Sequence, residues 1–327
     1  MTEQRPIQPT PVGALRFNTD NAKLEYFDGN EYVNITTDSP EKNTGGTRGV
    51  FGGGNSDTMD YINISATGNA IDFGNLSETF FINKALASRV RGIFAGDRPA
   101  TTKIEFVTIA STGDSQDFGD LTDGREDPAG VSNGTRGVMG GGAPYPTNVN
   151  TIDYITIAQT GNAFDFGDLT NARRHHGSFE SPVRGLFAGG EGTPNVKDII
   201  DYIQIATTGN AADFGDLTDN AYGVSGCSNA IRGLFGLGNV GGNSNRVDFV
   251  TIATLGNSQD FGDLITNYYA QASTSSPTRG VFGGHYPSST NIDYVQIMTK
   301  GNSIDFGNLT SGRGHFDACS NGHGGLG

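Results

Sequence analysis

The fourth of a series of related segments reads Arg184-Gly185-Leu186-Phe187-Ala188-Gly189-Gly190, then Ile200-Asp201-Tyr202-Ile203-Gln204-Ile205, then Thr208-Gly209-Asn210 and Asp213-Phe214-Gly215-Asp216-Leu217. The first piece is a short apolar run closed by a glycine pair. The second alternates with a period near two, as a half-buried strand does. Thr208-Gly209-Asn210 has turn chemistry, because glycine tolerates positive φ and Asn follows it readily. Asp213 to Leu217 is a further strand, and a polar loop then leads to a short segment around Cys227, five residues before Arg232. The unit reads as four strands joined by turns.

The same wording recurs along the chain. Arg-Gly followed by an aliphatic residue falls at Arg48, Arg91, Arg136, Arg184, Arg232 and Arg279, at spacings of 43 to 48 residues. Asp-Phe-Gly-Asp/Asn-Leu keeps step at Asp72, Asp117, Asp165, Asp213, Asp260 and Asp305. The segment before each following arginine centres on Leu86, Val131, Phe179, Cys227, Thr274 and Cys319. A period of this size suits a four-stranded propeller blade or a pair of helices, and the alternation selects strands.

Arg48 has no such segment immediately before it, whereas Phe316 to Gly322 is one without an arginine after it. Propellers commonly complete one blade from both ends of the chain, which removes an exposed sheet edge. The expectation is an all-β, six-bladed β-propeller over residues 48–327, closed by pairing of N- and C-terminal strands, with Ala318-Cys319-Ser320 beside Gly49-Val50-Phe51. An open β-solenoid is the alternative, but its coils are usually shorter and would not leave complementary ends.

Gly189-Gly190, Tyr202 and Phe214 together resemble a kelch repeat, and the match runs over residues 48 to 322. Phe replaces the kelch tryptophan in all six units, and the glycine pair is incomplete at Ala95-Gly96 and Gly236-Leu237-Gly238, so the repeat is kelch-like. Asp153 to Ala158 followed by Thr-Gly-Asn and Asp-Phe-Gly-Asp-Leu-Thr resembles repeats in virion and tail-fibre proteins of marine bacteriophages, including those infecting cyanobacteria. Gly13 to Thr19, Lys23 to Gly29 and Glu31 to Ile35 resemble a small β-element of phage fibre and appendage proteins. The resemblance implies a non-enzymatic structural or adhesion component of a virion: a tail fibre, tail appendage or capsid projection serving host attachment. The alternative is a glycan-binding module for receptor recognition. Kelch-type propellers can carry catalytic sites, as in copper-radical oxidases, but five His and no distinctive Tyr-Cys constellation argue against an enzyme.

Residues 1–40 read as a Pro-rich arm and a small β-hairpin module, with turns at Asp20-Asn21 and Asp28-Gly29, and 41–47 as a linker. Three short strands are marginal alone, and Leu15, Phe17, Leu24, Tyr26, Phe27, Tyr32 and Val33 offer more apolar surface than one small face hides. The module is expected to attach to other virion proteins or to self-associate as a homotrimer; docking on its own propeller is the alternative.

The formal charge of -14 opposes phosphate backbones and argues against nucleic-acid binding. No run approaches the length of a membrane span, and the first residues lack the apolar core of a signal peptide. The reading is a virion protein assembled in a host cytoplasm without membrane insertion. Cys227 and Cys319 form no disulfide framework or zinc site, and no cofactor is expected.

Asp-Phe-Gly matches the metal-binding triplet of kinases, yet no phosphate loop, catalytic loop or partner lysine accompanies it, and calcium-loop spacing is absent. A motif present in every unit reads as scaffold, with the six arginines pairing the six Asp-Phe-Gly aspartates. The loops after the fourth strands vary most and share one rim; there Arg173, His175, Tyr222, Tyr268, Tyr269, Arg313 and His315 are candidates for contact with a host-surface glycan or protein. Connections such as Asn55 to Thr58 and Tyr286 to Asn291 are placed on the opposite rim.

Overall fold

The computed structural model describes residues 11–18, 23–34, 47–192, 195–267 and 269–326. Within these the protein is all-β apart from a 3-10 turn at Gly324–Leu326, and no helix is long and apolar enough to cross a membrane. The chain divides into two compact units, Met1–Lys42 and Asn43–Gly327.

In the first unit Leu15–Asn18, Lys23–Phe27 and Tyr32–Asn34 form an antiparallel sheet in that order. Asp28 closes the second turn by accepting from the N–H groups of Asn30 and Glu31. Leu15, Tyr26 and Val33 stand opposite one another across the three strands. Leu15 is 63% and Tyr26 40% exposed. Arg16 lies 3.6 Å from the Tyr32 ring centre and pairs with Glu25, and Tyr32 also meets Phe27. The side chains of Phe17 and Leu24 lie outside the described residues.

In the second unit the described residues form six four-stranded antiparallel sheets with a propeller-like arrangement, numbered here by their arginines. Sheet four runs Gly177–Glu180, Arg184–Ala188, Ile199–Gln204 and Ala212–Asp216, and the others repeat this order. In sheet one the first strand is Phe316–Ser320, with Ala318 opposite Phe51, Cys319 opposite Val50 and Ser320 opposite Gly49. First strands of successive sheets lie against one another, and Phe316–Ser320 touches both Lys84–Ala87 and Ala272–Ser275. Apolar residues from neighbouring sheets pool into shared clusters: Phe179 and Leu186 of sheet four pack with Phe235 and Val250 of sheet five. Burying such side chains stabilises by roughly 1.5–3 kcal/mol each.

The repeated residues are the joints between these sheets. The third-strand aromatic of each sheet (Tyr61, Phe106, Tyr154, Tyr202, Phe249, Tyr294) meets its own Asp-Phe-Gly phenylalanine edge-on at 5.9–6.2 Å. That phenylalanine's carbonyl accepts from the turn glycine of the next sheet, as in Gly209 N–H to Phe166, and Gly68 N–H closes the same bond to Phe306. The approach is close enough to demand glycine on the other side. A Cβ on Gly74, whose φ is +140°, would come within 2.5 Å of the Gly113 carbonyl.

The arginines do not pair with Asp72, Asp117, Asp165, Asp213, Asp260 and Asp305, which correct the expectation by being exposed, all six. Arg48, Arg91, Arg136, Arg184 and Arg232 instead donate through Nη1 to the carbonyls of Ile109, Ile157, Ile205, Ile252 and Ile297 in the next sheet, at 2.9–3.2 Å. Arg279 donates to Ile64 of sheet one at 2.9 Å. Each guanidinium also lies over the third-strand aromatic of its own sheet, 4.3–4.9 Å from the ring centre. The reason is pleat and cost. Turning the phenylalanine inward turns its neighbouring aspartate outward, and a ring plus a carbonyl satisfies a half-buried guanidinium without desolvating a second charge.

The buried carboxylates that recur from sheet to sheet are the third-strand acids Asp60, Glu105, Asp153, Asp201, Asp248 and Asp293. Asp201 accepts from the Thr170 hydroxyl at 2.6 Å and its N–H at 3.1 Å, and Asp60 does the same with Thr310. Three of them also meet an arginine from the preceding sheet: Asp153 with Arg125, Asp201 with Arg173 at 3.1 Å and Asp60 with Arg313 at 2.6 Å. Among the described residues Asp293 has only the Ile265 N–H and Ser303, and burial pushes its carboxyl above the usual range.

Candidate functional site

Antiparallel order decides which loops share an end of a sheet. The connection from second to third strand and the connection from fourth strand to the next sheet's first strand leave at the same end. The two loop families expected on opposite rims are therefore one surface. Asn55 N–H bonds the Phe80 carbonyl, His285 N–H the Arg313 carbonyl, and Tyr286 N–H the Tyr269 carbonyl. Arg173–Arg174 pairs as a short strand with Glu191–Gly192.

In five of the six sheets the chain segment entering the first strand turns sharply. At the equivalent position, four residues before the strand's central residue, Asp127, His175, Gly223, Ala270 and His315 have φ of +52°, +55°, +63°, +58° and +62°. Side chains other than glycine adopt this conformation at a cost of about 1 kcal/mol or more. The turn aims these residues at a common centre. His315 stacks on Phe81 at 5.7 Å and meets Tyr286 at 4.9 Å, Tyr269 at 5.7 Å and His175 at 6.2 Å. Tyr222 meets Tyr269 at 5.8 Å and His175 at 6.4 Å.

Beside these rings lies an ion-pair network. His175 contacts Asp127 at 2.9 Å through Nε2 and Glu191 at 3.3 Å through Nδ1. Arg174 links Glu191 and Glu126, Arg98 pairs with Glu126, and Lys84 lies 3.4 Å from Asp127. Tyr145 sits over both Arg98 and Arg174, about 5 Å from each guanidinium. Burial works against charge on His175, but Asp127 and Glu191 outweigh it and hold the imidazolium up to about 9. His315 goes the other way: burial and the neighbouring His175 cation push it down to about 4. One ring is charged and the other neutral at pH 7.

Of the sequence candidates, His175, Tyr222, Tyr269 and His315 come together here. Arg173 and Arg313 do not present themselves to solvent: both are buried and face Asp201 and Asp60, and burial lowers each below the usual arginine range. Tyr268 lies outside the described residues. Phe81, Asp127, Tyr145, Glu191 and Tyr286 complete the cluster, Asp127 from beneath it, and were not singled out from the sequence. Gly223, in register with His175 and His315, was the available signal for the turn that gathers them.

A cleft of about 450 Å³ opens beside Phe81, Tyr286 and His315. A second cavity, of about 40 Å³, lies among the first strands, lined by Glu180, Asp317 and His323, with burial pushing the Asp317 carboxyl up to about 6. Cys227 and Cys319 are buried free thiols, raised well above their usual range by burial. Among the described residues no three His, Cys, Asp or Glu side chains are grouped as metal ligands. Neither a family model nor a curated protein matches the chain.

Proposed function

We propose that this chain is a non-enzymatic recognition component of a bacteriophage virion, a closed six-bladed kelch-like propeller that presents one loop surface. The observation that carries the reading is a division of labour. The repeated residues are consumed by sheet-to-sheet joints, while the loops that differ from sheet to sheet gather aromatic and polar side chains on one face. Such a face recognises by complementarity rather than by bond chemistry. Closure is supported by the sixth-to-first joint, where Arg279 to Ile64, Gly68 to Phe306 and Thr310 to Asp60 repeat the bonds of the other joints.

The phage assignment rests on the wording of the repeats and of residues 13 to 36. In this reading the N-terminal unit, with Leu15 and Tyr26 exposed, attaches to other virion proteins or trimerises. Immunogold electron microscopy of purified particles, with an antibody against residues 48 to 322, tests it. Label on a tail, fibre or capsid projection is the expected result. Intact particles free of label, from infections in which the protein is expressed, would remove the virion reading.

A further inference from the structure

The cleft beside His315 has a chemistry of its own. Its walls come from three stretches: Asn55 between the second and third strands of sheet one, Phe81 after the fourth strand of sheet one, and Tyr286, Ser288, Ser311 and His315 from sheet six and its exit. Asn55 and His315 are both held in the left-handed region, at φ +62°, so two sides of the opening are set by strained backbone rather than by mobile side chains. Phe81 is stacked on His315 with an interplanar angle of 28°, and Tyr286 meets the same imidazole at 63°, which fixes aromatic faces at an angle around the opening. Tyr286, Ser288, Ser311 and Asn55 are exposed, and their hydroxyl and amide groups offer donors and acceptors.

Charge is what this cleft lacks. The two basic side chains lining it are Arg313, buried against Asp60 and the Thr58 carbonyl, and His315, whose ring is neutral at pH 7, and no carboxylate lines it. An anionic ligand would find no open cation, and a cationic one no open carboxylate. A ligand of sugar-ring size with apolar C–H faces for Phe81 and Tyr286, hydroxyls for Ser288, Ser311 and Asn55, and no charge fits these walls.

We infer that this cleft is a saccharide site selective for neutral sugars, with Phe81 and Tyr286 as the stacking platforms. The inference deepens the recognition reading above and depends on it only for its biological setting. The full-length protein is applied to a printed array of neutral and acidic glycans, and the best neutral oligosaccharide is titrated by calorimetry. Binding to neutral glycans is expected, weakened at least about tenfold by Phe81→Ala, Tyr286→Ala and Ser311→Asp. Leu255→Ala, at an exposed residue outside the cleft, leaves it unchanged. Ser311 is exposed, so Ser311→Asp keeps the comparison readable if an aromatic variant fails to fold. Binding confined to acidic glycans, no binding to the array, or neutral binding untouched by the three cleft variants would each overturn the inference. Label on particles without glycan binding removes this site alone, and glycan binding without label removes the virion alone.

Discussion

Arg184 lies over Tyr202 and donates from Nη1 to the carbonyls of Ile252 and Ala253 in the next sheet. The sequence suggested that such an arginine would seek an aspartate, because opposite charges with one period invite pairing. Identity alone does not reveal a partner that is a main-chain carbonyl, and here that partner wins because it asks for no second buried charge. Arg184→Met keeps most of the apolar stem but leaves the Ile252 carbonyl without its donor. The expected cost is about 1–3 kcal/mol with the fold retained, read from urea denaturation followed by far-UV circular dichroism. Loss of all ordered structure, or no change in midpoint, would contradict the joint described for this residue.

Where loops meet, His175 and His315 tie elements of different sheets and respond to pH in opposite directions. His175 has a folded pKa raised to about 9, so its contribution is fully present below about 6.5, its unfolded value, and is lost as pH rises through 9. His315 has a folded pKa lowered to about 4, so its contribution is present above about 6.5 and is lost as pH falls through 4. Denaturation midpoints are expected to be highest between these limits. His175→Gln should flatten the alkaline decline and lower stability near neutrality by on the order of 2 kcal/mol, measured by urea titration at pH 5, 7 and 9.5. The strands themselves were legible because Arg-Gly and Asp-Phe-Gly keep step and the segments between them alternate. The shared loop surface was not, although it follows from counting strand directions: in a four-stranded antiparallel sheet the exits after the second and fourth strands point the same way. Arg173 and Arg313 were misread for a related reason. Arg173 follows a fourth strand and Arg313 ends one, and both look solvated in sequence, yet the next sheet brings a third-strand aspartate directly to each.

Along the second unit the arginine-to-isoleucine and glycine-to-phenylalanine bonds recur from sheet to sheet, and the first strand of sheet one comes from residues 316–320. Phe316 is 1% exposed and packs on Phe51, Cys319 is buried against the core of sheets one and two, and His323 reaches the Ala87 carbonyl. Deleting residues 314–327 is expected to remove more than about 5 kcal/mol, beyond a single Phe→Ala loss of about 3–5 kcal/mol. Differential scanning calorimetry of the truncated and full-length proteins makes the comparison, and unchanged melting would contradict the seam. Direction matters at that seam. Ser320 stands opposite Gly49 and Phe316 opposite Gly53, so the chain enters sheet one and leaves it on the same side. Tension applied between those two exits would peel the strand pair apart one residue at a time, as a zip opens. A pull between the Arg48 side and the loop surface runs along the strands and loads many hydrogen bonds at once. A molecule held from the N-terminal side and gripped at its loops would thus bear traction in its strong direction.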